Sequence, residues 1–140
     1  MKDDVEEQKP ATISEDDYRL LSAWRDTLRD FMTASKRILK QAKVTTGEYQ
    51  ALLVIRLRTQ QQPLSMGELA RHLHIRNNSA VSLVNRMARQ GLVRRVPSGQ
   101  DSRVVHLRLT AKGESVLRKL VGGHRRELDC IVPSLRNILS

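Results

Sequence analysis

Between Thr45 and Leu109 the chain carries helix-start signals and one turn in an order that few folds accommodate. Thr45 with Glu48, and Ser65 with Glu68, have the spacing of a capping box, in which a hydroxyl accepts the N–H three residues on. The first predicts a helix to about Arg58, ended by the polar stretch "TQQQP". The second predicts a short helix to about Leu73 with Leu69, Ala70 and Leu73 on its inner side. After "HIRNN", Asn77 or Asn78 is expected to cap a third helix, with Ala80, Val84 and Met87 inward and Gly91 at its end. Leu92 to Val96 and Val104 to Leu109 then flank a turn at Pro97, Ser98 and Gly99, with Val105, Leu107 and Leu109 on one face, which reads as a hairpin. The two short helices alone would fit a generic helical hairpin. Strands directly behind them make a winged helix-turn-helix.

The flanks carry a different pattern. Leu21, Trp24, Leu28, Phe31, Ser35 and Ile38 are spaced 3-4-3-4-3, one apolar seam on a long helix over residues 18–40. Thr110 can cap a last helix from Ala111 to about Val121, which Gly122-Gly123 is expected to break or bend. Leu128, Ile131, Leu135 and Ile138 form a second seam, with Pro133 kinking or restarting the helix inside it. The middle of the chain supplies its own core, so two terminal seams predict a two-fold helical dimer interface. The fold class is therefore mainly α with a small β-hairpin wing (α+β). Residues 1–17 are expected to form an acidic flexible tail. Residues 18–140 form one domain, with residues 45–110 as the lobe and residues 18–40 and 111–140 as dimerisation helices.

Charge narrows the partner. The chain is +10 overall, yet residues 1–17 hold seven acids against Lys2 and Lys9, so the remaining 23 basic and 8 acidic side chains give a body of +15. Such a field attracts a polyanion, either nucleic acid or an anionic membrane surface. Between Arg71 and Arg108 eight arginines face only Asp101, where an ordinary solvated surface mixes its signs. Aromatic residues are few, which argues against base-stacking platforms for single strands. No run approaches the roughly 18 apolar residues of a spanning helix, the N-terminus is acidic and Cys130 stands alone, so a cytoplasmic protein is expected.

A recognition helix offers its first residues to base edges in the major groove. Here these are Arg76, Asn77, Asn78, Ser79 and Ser82, a guanine-type donor, amides suited to adenine, and hydroxyls. One of the two asparagines is expected to be used in capping alone. Arg86, further along, suits a phosphate or an internal ion pair. Ser65, Arg94 and Arg95 complete the predicted DNA-binding set with Arg103, whose place on the wing suits the narrow minor groove. Asp101 can pair with Arg103, Arg94 or Arg95.

His72 and His74 are two apart, on different faces of a helix, and His106, His124 and Cys130 are scattered, so no metal site or cofactor is expected. No nucleophile motif, carboxylate pair or phosphate-binding glycine loop points to an enzyme. Cys130, beside the second seam, reads as a packed core thiol.

"GLVRRVPSGQDSRVVHLRLTAKG" resembles the wing of the MarR family of bacterial transcription regulators, and "LSMGELARHLHIRNNSAVSLVNRMARQ" resembles that family's helix-turn-helix, within a similarity running from about Tyr18 to Ile138. The resemblance implies a homodimer joined by its terminal helices, with two lobes reading a palindromic operator in double-stranded DNA. It also implies repression relieved when a small aromatic effector binds between dimer domain and lobe. Trp24 and Tyr49 are the residues there able to stack on such a ligand. Ser82 departs from the arginine many members carry one turn into the recognition helix. The cysteine near the first helix that oxidant-sensing members use is absent. Two other readings of the basic lobe are a nonspecific architectural DNA protein and a winged-helix module binding an acidic protein.

Overall fold

The computed structural model describes residues 12–97, 99 and 104–140. Among the described residues five helices and three strands follow in the order α1 (Glu15–Ala42), α2 (Thr46–Arg58), β1 (Leu64–Ser65), α3 (Met66–Leu73), α4 (Asn77–Arg89), β2 (Val93–Pro97), β3 (Val105–Leu109) and α5 (Ala111–Leu139). The fold is mainly helical with a small antiparallel sheet of order β1-β3-β2.

Helix α1 opens three residues before the start expected at Tyr18. Ser14 caps it in a full capping box, its N–H donating to Asp17 Oδ2 at 2.8 Å and its Oγ accepting from the Asp17 N–H. Glu15, Asp16 and Asp17 thus form the first turn, where carboxylates complement the positive end of the helix dipole. Apolar periodicity locates the seam of a helix; the cap sets where it starts. Lys43, in the left-handed region at φ 57°, ends α1 and turns the chain so that Val44 is buried.

Thr45 and Ser65 cap α2 and α3, each accepting the N–H of the glutamate three residues on. Between them lies β1, a piece of strand with no alternation to betray it. Leu64 pairs with Leu107 and Ser65 with His106, and Leu64 is fully buried. Pro97, expected in the turn, is the last residue of β2 and pairs with Val105. The core gathers Ala51, Leu52 and Ile55 from α2, Leu64, Leu69, Val84, Met87 and Leu107 from the lobe, and Leu117 and Leu120 from α5. Truncating any of its leucines to alanine costs about 2 to 5 kcal/mol.

Helix α5 runs unbroken for 29 residues, through both Gly122-Gly123 and Pro133. Local propensity argues for a break, at about 1 kcal/mol per glycine and about 3 for the proline. At the glycines, packing against α1 overrides it. A Cβ at Gly123 would lie 3.3 Å from Ile38 Cγ2, so the glycine is where the two long helices meet closely. The start of α5 is anchored as firmly: Thr110 Oγ1 accepts from the Gly113 N–H at 3.0 Å and donates to the Gly91 carbonyl, while the Thr110 N–H donates to the Leu92 carbonyl at 3.1 Å. Gly113 lies against that same Leu92 carbonyl, with no room for a side chain.

Candidate nucleic-acid interface

Helix α4 has two unlike faces. Ala80, Leu83, Val84 and Met87 are buried, Leu83 at 5% exposure and the others not exposed at all. Asn78, Ser79, Ser82 and Arg86 follow one another at spacings of one, three and four residues on the outer side. With Leu83 at the floor they line an open groove of about 380 Å3. Buried leucine and methionine thus hold a row of amide, hydroxyl and guanidinium groups outward, a mixture able to read base edges.

The expected asparagine cap is overturned. Arg76, in extended conformation, is the N-cap of α4, and no side chain caps the helix. Asn77 and Asn78 are its first two helical residues, and both are exposed. After His74, itself left-handed at φ 54°, the chain enters helical geometry at Asn77, so neither asparagine precedes the helix as a cap must to accept an N–H two or three residues on. Both amides are consequently free of a capping role.

Ser65 is half-buried as the cap of α3, accepting from the Glu68 N–H at 3.2 Å. Arg86 is exposed. Among the described residues no carboxylate lies within ion-pair distance of Arg76, Arg86, Arg94 or Arg95. Arg94 stands directly opposite Arg108 across β2 and β3, and both are exposed. Like charges so placed repel. Arg95, on the other face of β2, reaches α4 and donates to Asn85 Oδ1 at 2.6 Å. Asp101 and Arg103 lie outside the described residues. Asn85 is not among the residues expected from the sequence, and Arg89 and Arg108 count there only as members of the arginine cluster. Their signal was the four-residue step from Asn85 to Arg89 on α4 and the register of the two strands.

The structure does not unite Trp24 and Tyr49. Tyr49 is stacked on His124 of α5, ring centroids 4.6 Å apart and planes 9° from parallel. Trp24 sits on the open face of α1, about 10 Å along the axis from Phe31, which tilts onto the same His124. His124 is buried, bonded to Ser35 Oγ at 2.8 Å and, as donor, to the Leu120 carbonyl at 2.7 Å. Burial raises the Tyr49 hydroxyl above its usual pKa of 10.0. This polar knot of α1, α2 and α5 was hidden in the sequence, where Ser35 reads as a gap in an apolar seam.

Cys130 is exposed, against the expectation of a core thiol, because α5 presents it to solvent beside the seam. Among the described residues no three of His, Cys, Asp and Glu are grouped to hold a metal ion. No described helix is long and apolar enough to cross a membrane.

Residues 43–104 match the sequence model of the MarR family. The chain is 32% identical over 89 residues to the HTH-type transcriptional regulator FarR of Neisseria gonorrhoeae, covering 64% of this chain and 59% of FarR. It is 27% identical over 101 residues to the HTH-type transcriptional regulator PecS of Dickeya dadantii (strain 3937), covering 71% of this chain and 61% of PecS. The matches thus span about three-fifths of the length of these curated relatives. Among solved structures, a MarR family protein from Bacillus stearothermophilus superposes with a TM-score of 0.70 at 26% identity, covering 87% of this chain and 83% of that one.

Proposed function

We propose, from the premise that the chain belongs to the MarR family, that it is a sequence-specific regulator of transcription that binds double-stranded DNA as a homodimer. The observation that carries the reading is the outer face of α4, where Asn78, Ser79, Ser82 and Arg86 line one groove beside a wing whose described charges are all arginine. In this reading α4 enters the major groove, with Arg76, Asn77, Asn78, Ser79 and Ser82 at the bases and Arg86 at a phosphate. Ser65, Arg94 and Arg95 meet the backbone, and Arg103 reaches the adjoining minor groove. Two copies read the two halves of a pseudo-palindrome. Leu21, Trp24 and Leu28 of α1 and Leu128 of α5, all more than 40% exposed, supply the apolar surface for pairing.

The chain acts as a repressor in this proposal, released by a small aromatic effector that disturbs the junction of α1, α2 and α5 around Tyr49. Selection of binding sites from random duplex DNA, read by sequencing, tests the central claim. The expected result is one enriched sequence with two-fold symmetry. Enrichment of no sequence would make the protein an architectural binder, and failure to retain any duplex would favour the acidic-partner module.

A further inference from the structure

The two DNA-reading elements of the proposed function would lie in neighbouring grooves, α4 in the major and the wing in the minor. A sugar-phosphate strand separates those grooves. It must therefore cross the joint between α4 and β2. At that joint Asn85, Ala88, Arg89 and Arg95 line an open cavity of about 490 Å3. The cavity adjoins the groove of Asn78, Ser79, Ser82 and Arg86, since Asn85 follows Ser82 by three residues on the same helix.

The chemistry of the joint is that of an anion seat. Two guanidinium groups line it, and among the described residues no carboxylate is paired with either. Arg95 is held in place, because one terminal nitrogen donates to Asn85 Oδ1 at 2.6 Å while its other N–H groups remain available. An asparagine at this point differs from an aspartate in one respect that matters. It orients the guanidinium as an aspartate would, and leaves its positive charge uncancelled. The opposite face of the wing carries Arg94 across from Arg108, so the strands are cationic on both sides and gain from an anion close by.

We propose that Arg89 and Arg95 bind one phosphodiester of the DNA backbone at the α4–wing joint, with Asn85 as the positioning residue that fixes Arg95 without neutralising it. This rests on the DNA-binding reading above and adds a site to it. A phosphodiester there sets how far the wing stands from the recognition helix and so the register of both elements on the duplex.

The test uses the full chain, its Asn85→Asp and Arg89→Gln variants, and two labelled duplexes, the selected site and a random sequence, titrated across a salt series. Asn85→Asp preserves shape and hydrogen bond while cancelling the charge. Arg89→Gln alters an exposed side chain, and thermal melts check that both variants fold. Each should weaken binding about tenfold at low salt, equally on both duplexes, and lower the slope of log affinity against log salt by about 1. An unchanged slope for Asn85→Asp, with the unaltered chain binding normally, overturns the site and leaves the DNA-binding reading standing. A loss confined to the selected duplex would mean a base contact and overturns it too. Inorganic phosphate, titrated while side-chain N–H signals of Asn85 and Arg95 are followed by NMR, completes the test. Saturation by phosphate with no effect of the variants on DNA would mark an adventitious ion only. If the unaltered chain binds neither duplex, the proposal falls together with the reading that supports it.

Discussion

Ser35 Oγ on α1 and His124 Nε2 on α5 are 2.8 Å apart, each inside a residue less than 10% exposed. The Leu120 carbonyl can only accept, so His124 Nδ1 donates to it and Nε2 is left to bond with the Ser35 hydroxyl. Ser35→Ala leaves that nitrogen buried without a partner. The expected loss is about 1 to 3 kcal/mol of unfolding free energy, measured by urea denaturation. A variant as stable as the parent would mean that the bond contributes nothing.

Tyr49 should make the fold sensitive to alkali. Its folded pKa is raised by burial above the unfolded 10.0, so the folded state holds the phenolic proton more tightly. Stability from this source is full below pH 10 and declines as pH rises from there through the folded pKa. Melting temperature measured from pH 8 to 11.5 should fall less steeply for Tyr49→Phe than for the parent. Parallel curves would remove Tyr49 as the cause.

Gly113 has the Leu92 carbonyl where a Cβ would go. Gly113→Ala is expected to push the first turn of α5 off the β2 corner and destabilise the fold by about 1 to 3 kcal/mol, although alanine favours helices by about 1 kcal/mol. Gly122→Ala meets only the far end of Arg126 at 3.8 Å and should be neutral or stabilising. Denaturant melts of the two variants decide, and equal stabilities would refute the contrast.

Neither asparagine caps α4, so Asn78 is open to base reading. Asn78→Ala or Ser79→Ala should relax preference at particular operator positions by about 1 to 3 kcal/mol, with little effect on random DNA. Competition titrations with single-base operator variants measure this. Equal losses on operator and random duplex would reassign both residues to the backbone.

Leu21, Trp24 and Leu28 of α1 and Leu128 of α5, exposed in the single chain, predict a dimer. Leu28→Glu with Leu128→Glu places carboxylates on that apolar surface, and light scattering at micromolar concentration should show the parent as a dimer and the variant as a monomer. A monomeric parent would remove the premise of two half-sites.

Where one short-range interaction decides the outcome, most of this protein is legible in its sequence, the Ser14–Asp17 box that starts α1 and the missing side-chain cap of α4 being the exceptions. Thr45, Ser65 and Thr110 start their helices because a hydroxyl reaches an N–H three residues away. The alternation of Val105, Leu107 and Leu109 shows a strand, and the crowding of arginine between Arg71 and Arg108 shows a cationic surface. Tertiary structure decided what depends on partners distant in the chain. β1 exists because Leu64 meets Leu107, and α5 stays whole across Gly122-Gly123 where α1 packs against it. Cys130 faces solvent because of the way α5 is rotated, and Asn85 meets Arg95 because a strand returns beside α4. Local bonds close small rings whose members are named by spacing. Packing joins residues 10 to 89 positions apart, as in Arg95 with Asn85 and His124 with Ser35, and no spacing rule links such pairs before the chain has folded.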